Sequence, residues 1–145
     1  MSGVLDAVGR LHPALTHFPI GLALGGMLLE TWNTLSRRGA SPTGRTLVRL
    51  AAGFAVLTAV TGWLHFRPEE YGDRLLAAAG VHRALGIGSL MLLLLTAATG
   101  GFGSMPAGPR LWIYRGGYGL AAIAVGTTGH YGGWIVFGWG PIWTP

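Results

Sequence analysis

The stretch LHPALTHFPIGLALGGMLLETWNTL, Leu11 to Leu35, decides how this chain folds. Its first half sets His12 and His17 five residues apart, with Pro13 and Pro19 beside them. Its second half is almost continuously apolar and long enough to cross a bilayer, which takes about 20 such residues. Two imidazoles therefore stand at the mouth of a membrane span. Pro13 suits the first turn of a helix, where a missing N–H costs nothing. Pro19 cannot donate to the Leu15 carbonyl, so it predicts either a kink or the true helix start. On an unbroken helix His12 and His17 would stand about 140° apart and could not easily share one small ion.

The rest of the chain agrees with a membrane setting. Of 145 residues, 50% are hydrophobic and only 10% charged, and the mean hydropathy is +0.48. Soluble domains carry roughly 25% charged residues, so this chain cannot cover a globular surface with polar groups, and a lipid-facing surface removes the difficulty. The net charge of +5 comes from ten arginines and no lysine. These arginines lie between apolar runs rather than in one patch, which reads as loop charge and not as a nucleic-acid surface. The absence of cysteine excludes disulfides, thiolate metal sites, Fe–S clusters and covalently attached c-type haem. The first twelve residues lack the order of a removable signal peptide.

Four spans are predicted, at about 16–35, 46–66, 81–99 and 111–131. Short polar connections join them: SRRGASPTGR, RPEEYGDR and GGFGSMPAGPR. The expected fold is therefore all-α: a single integral membrane four-helix bundle over 1–145, running up-down-up-down. No internal sequence repeat is evident. Arg37, Arg38, Arg45, Arg49, Arg110 and Arg115 fall on one side, and Arg10, Arg67, Arg74 and Arg83 on the other. This bias puts both termini on the periplasmic side of a bacterial inner membrane. Trp32 and Trp112 suit one interface; Trp63, Trp134, Trp139 and Trp143 suit the other. Residues 132–145, which include WIVFGWGPIWTP, are too short for a fifth span and read as an interfacial tail.

Threading the chain through these spans brings all five histidines to one level. His12 and His17 open the first span, His65 closes the second, His82 opens the third and His130 closes the fourth. Polar groups within a membrane are costly and tend to face the bundle interior, and bundle interiors commonly hold cofactors. Haem b suits such a place, with axial nitrogens drawn from His17 and His82 first, then His130 and His12, and with Arg10 and Arg83 among the cations available to propionates. Copper or zinc held by the same four histidines, and a bacteriochlorophyll, are the alternatives. The glycines of Gly21-x-x-x-Gly25 and of GHYGG, Gly129 to Gly133, allow close helix or ring approach. Glu30 is expected to pair with Arg49 or Arg115, or to lie at the interface. No nucleotide loop, Ser–His–Asp order or H-E-x-x-H motif supports hydrolytic or phosphoryl chemistry.

At HPALTHFPIG (His12–Gly21), VHRALG (Val81–Gly86) and GHYGGWIVFG (Gly129–Gly138) the chain resembles a bacterial family of four-helix membrane domains of largely unknown function. That family opens with H-P-x-x-x-H-F-P, carries a lone histidine at its third helix and closes its fourth with G-H-x-G-G. The resemblance spans nearly the whole chain and places the family's histidines at His12, His17, His82 and His130, leaving His65 outside the pattern. Family members occur beside cytochrome-like and rubredoxin-like modules, which implies a redox setting. The expected role is an electron-transfer protein, or a subunit of a respiratory or photosynthetic membrane complex, rather than a stand-alone enzyme. Its expected partners are lipid, other subunits, and a quinol or periplasmic electron carrier.

Overall fold

The computed structural model describes residues 2–101 and 103–137, and the regular structure within them is helical, with no strand. The helices are α1 (Ser2–Gly9), α2 (His12–Leu15), α3 (His17–Leu35), α4 (Pro42–His65), α5 (Asp73–Gly100) and α6 (Gly108–Phe137). A 3₁₀ turn, Pro68–Glu70, lies between α4 and α5. Among the long helices, α3 packs on α4, α4 on α5, α5 on α6, and α6 back on α3.

Local chemistry sets several boundaries. Pro13 sits in the first turn of α2, and Pro19 sits in the first turn of α3, so it marks a helix start. α3 stops in a Schellman turn: Arg38 N–H reaches the Asn33 carbonyl at 2.7 Å and Arg37 N–H reaches Thr34 at 3.0 Å. Arg37 pays for that turn with a left-handed φ of 53°. α4 opens on Pro42 behind Ser41, whose hydroxyl accepts the Gly44 N–H at 3.0 Å.

The helices extend beyond the predicted spans. Helices α1 and α2 precede the first predicted span. α5 starts at Asp73 rather than 81, because DRLLAAAG is rich in strong helix formers with an acid in the first turn. α6 runs on to Phe137, through the glycines that suggested a tail after 131. Positions 138–145, with Trp139 and Trp143, lie outside the described residues.

Two of the long helices, α4 and α5, are long and apolar enough to cross a membrane, with mean hydropathies of 1.7 and 1.6. Only 28% and 22% of those apolar windows is buried inside the fold. α3 and α6 fall below that mark: α3 carries Pro19, Glu30 and Asn33, and α6 carries Arg110, Arg115 and many glycines. The interior is built from small and polar residues, including Ala23, Ala51, Ala52, Ala121, Ser89, Thr96 and Glu30. Large aliphatic side chains such as Leu28, Leu57, Leu95, Leu120 and Ile123 face outward.

The two halves of the chain repeat each other at a spacing of seventy residues, a relationship the sequence reading missed. Buried positions recur in pairs: Ala23 and Leu93, Gly26 and Thr96, Glu30 and Gly100, Val48 and Tyr118, Ala51 and Ala121, Ala52 and Ala122, Ala55 and Val125. Many pairs differ in size because the halves complement one another. A Cβ on Gly26 would lie 1.7 Å from the Tyr118 hydroxyl, which donates to the Gly44 carbonyl at 2.9 Å. The loops are tied crosswise. Arg45 of α4 donates to the Gly103 carbonyl in the second half, and its counterpart Arg115 of α6 donates to Arg38 and Gly39 in the first. Pro13 and Pro19 have Arg83 and Ser89 as counterparts. Without those prolines the second half runs as one helix, α5, where the first half is divided into α1, α2 and α3.

Glu30, only 3% exposed, meets the Arg115 Nε at 3.2 Å and accepts the Ser41 N–H at 2.7 Å. Arg115, one of the expected partners, therefore pairs with it. The Arg49 guanidinium instead donates to the Gly101 carbonyl.

Candidate functional site

The repeat is most complete around His12 and His82. His12 Nδ1 lies 3.0 Å from the Thr58 carbonyl, and His82 Nδ1 lies 2.9 Å from the Thr128 carbonyl. Each ring and its carbonyl are 46 residues apart in the chain. A carbonyl oxygen can only accept, so Nδ1 carries the hydrogen in both rings and Nε2 keeps a lone pair. Such an anchored N–H is the usual way a ligating histidine is held in one tautomer.

One turn beyond each threonine stands a glycine that makes room for the ring. A Cβ on Gly62 would come within 2.7 Å of His12 Cε1, and one on Gly132 within 3.1 Å of His82 Cε1. On the second side Thr128 is itself braced, its hydroxyl bonding the Ala124 carbonyl at 2.8 Å and Ser89 Oγ at 2.9 Å. The first side lacks that brace, because Ser89 has Pro19 as its counterpart.

The two rings face one another across the halves, with centroids 6.1 Å apart and planes at 81°. His65 also approaches His12, at 6.3 Å and 32°. Burial holds the His12 imidazole below its ordinary range, and the nearby His82 and His65 rings push the same way against the Thr58 hydrogen bond. His12 is therefore a neutral base near pH 7. Beside His65 opens a cavity of about 330 Å³, lined by Asp6, Arg10, Leu64, His65, Arg67 and Glu70.

The other expected site residues are placed differently. His17 is exposed at the start of α3, five residues and about 140° of helical turn from the face that carries His12. His130 is half-buried, its ring edge-on to Tyr131 at 6.1 Å. Of the glycines around it, Gly132 makes room for the ring of His82 and Gly129 for the Ile20 side chain. Arg10 lines the cavity. Arg83 is stacked on Trp63 and Phe66, at 4.6 and 4.5 Å, and Arg67 is ion-paired with Asp6. Among the described residues, no three His, Asp or Glu side chains converge closely enough to hold one metal ion. Sequence reasoning passed over Thr58, Thr128, Gly62 and Gly132. The signal was a T-x-x-x-G placed 46 residues after a histidine in each half.

Comparison of the chain with protein-family models, with curated proteins and with solved structures found no match.

Proposed function

We propose that this chain is a four-span protein of a bacterial inner membrane, with both ends on the periplasmic side, and that His12 and His82 would hold a haem b used in electron transfer. The outward apolar surface over a small-residue interior supports the bilayer reading, since lipid rewards an apolar exterior and close helix packing. α4 and α5 meet the requirement in length and composition. α3 and α6 expose Leu24, Leu28, Leu120 and Ile123 in the same manner.

The His12–His82 pair carries the functional reading. The pair stands at 6.1 Å with both tautomers set for Nε2 ligation. Two imidazole nitrogens are enough to hold a haem, whereas structural zinc takes about four ligands, so a two-histidine site favours haem. Arg10, facing the cavity, is the cation left to meet a propionate. When bound, the haem would supply the one-electron chemistry, and the chain would hold, orient and shield it. The likeness of the histidine motifs to a membrane family with redox neighbours points the same way, with quinol or a periplasmic carrier as partner.

The test is a visible spectrum of detergent-purified protein, oxidised and reduced, with iron analysis. A Soret band that is lost in both His12→Ala and His82→Ala and retained in His17→Ala is expected. Absence of both the band and stoichiometric iron would sink the proposal.

A further inference from the structure

We propose that α1 is an interfacial helix, seated on the lipid surface with its apolar stripe in the bilayer and its polar side closing the cavity beside His65. This rests on the bilayer reading but not on haem. α1 has eight residues, about 12 Å at the helical rise of 1.5 Å per residue, far short of the roughly 30 Å hydrocarbon layer. It cannot span, so an apolar stripe on it has to lie along the surface.

Its amphipathicity is turned inside out. Val4 is 70% exposed and Leu11, just beyond the helix, 54%; with Leu5 and Val8 they form one outward stripe at helical spacing. Asp6 and Arg10 line the cavity, and Asp6 pairs with Arg67. Gly9 is packed so tightly on the end of α4 that a Cβ there would lie 3.0 Å from the backbone of Leu64 and His65. The helix is thus fixed by its polar side, and its apolar side is left uncovered.

Lipid is the occupant that fits. The stripe adjoins α4, whose Val56, Val60 and Trp63 also face outward, Trp63 being 69% exposed. It therefore continues the surface assigned to the bilayer, at the depth where tryptophan gathers. Four aliphatic side chains also fall well short of the roughly 800 Å² per partner that a stable protein interface buries. An amphipathic helix held in the headgroup layer is a familiar anchor, and here it would place the cavity mouth at headgroup depth.

The chain has no cysteine, so single-cysteine spin labelling needs no background removal. Labels would be placed outward by Val4→Cys, Val8→Cys and Leu11→Cys, and on the exposed polar flank, turned inward from the stripe toward Asp6 and Arg10, by Gly3→Cys and Ala7→Cys. Leu57→Cys and Leu95→Cys would serve as bilayer references. The protein would be reconstituted in phosphatidylcholine–phosphatidylglycerol vesicles, and relaxation by oxygen compared with relaxation by a water-soluble nickel chelate. Oxygen should dominate at the outward positions and the references, and nickel should be several-fold more effective at the inward ones. Outward labels as open to nickel as the inward ones, with the references still in lipid, would overturn the role of α1 and leave the bilayer reading standing. Dipolar broadening between outward labels would overturn it in favour of a second copy. Nickel access at Leu57 and Leu95 would overturn the bilayer reading and this proposal with it.

Discussion

His12 and His82 are seventy residues apart in the chain and 6.1 Å apart ring to ring, each donating its Nδ1–H to a threonine carbonyl 46 residues further on. The pair is one structural device used twice. Its surroundings are testable position by position.

The glycines beside the rings should be the least tolerant positions of the site. Gly62→Ala drives a methyl group to 2.7 Å from His12 Cε1, while Gly132→Ala brings one to 3.1 Å from His82 Cε1. Overpacking of this kind costs about 1–3 kcal/mol, with Gly62→Ala the worse. Gly53→Ala meets nothing within 4 Å and should gain about 0.5–1 kcal/mol of helix stability. Thermal unfolding in detergent would rank the three. Equal melting temperatures for Gly53→Ala and Gly62→Ala would contradict the packing described.

Size complementarity between the halves predicts a coupling. Gly26→Ala collides with the Tyr118 ring and should destabilise by about 1–3 kcal/mol. In a Tyr118→Leu background the same change should cost less, since the clashing ring is gone. A double-mutant cycle reads this directly. A coupling energy near zero would mean the two residues do not touch.

The buried ion pair should fail unequally when its partners are removed. Arg115→Ala removes the cation paired with the buried Glu30 carboxylate, and stranding a buried charge costs about 3–5 kcal/mol. Glu30→Gln keeps an acceptor for Ser41 and leaves Arg115 its bonds to Arg38 and Gly39, so it should cost less. Chemical denaturation would separate the two, and the reverse order would refute the account.

The turn after α3 carries removable strain. Arg37 holds a left-handed φ of 53°, a region that disfavours residues with a Cβ by about 1–2 kcal/mol. Arg37→Gly should therefore raise stability, by about 0.5–1 kcal/mol once the extra freedom of the unfolded chain is counted. A fall in melting temperature would show that the arginine side chain contributes more than its backbone strain removes.

Much of the site was legible as a level and little of it as a geometry. Counting spans brought five histidines to one end of the helices, because helix direction alternates whenever loops are short. Choosing among them depended on which way each ring turns. His17 and His82 looked the strongest, yet His17 is exposed and His12 is the ring that lies against His82. His65, outside the family pattern, stands beside His12. The anchoring carbonyls of Thr58 and Thr128 could not be seen at all, since every residue has a carbonyl and only packing selects which one faces a ring.

By itself, the sequence determined that the chain is helical, apolar and poor in charge, that Pro19 kinks or starts a helix, and that Glu30 seeks an arginine or the interface. Those are local or compositional matters, set by backbone chemistry and the cost of burying polar groups. Tertiary structure alone decided that the halves repeat. Complementary packing replaces like with unlike, glycine opposite tyrosine and alanine opposite leucine, so the repeat survives in burial and hydrogen bonding after it has faded from the letters. It also decided that His12 and His82 meet, because that contact depends on how two helical hairpins pack across one another.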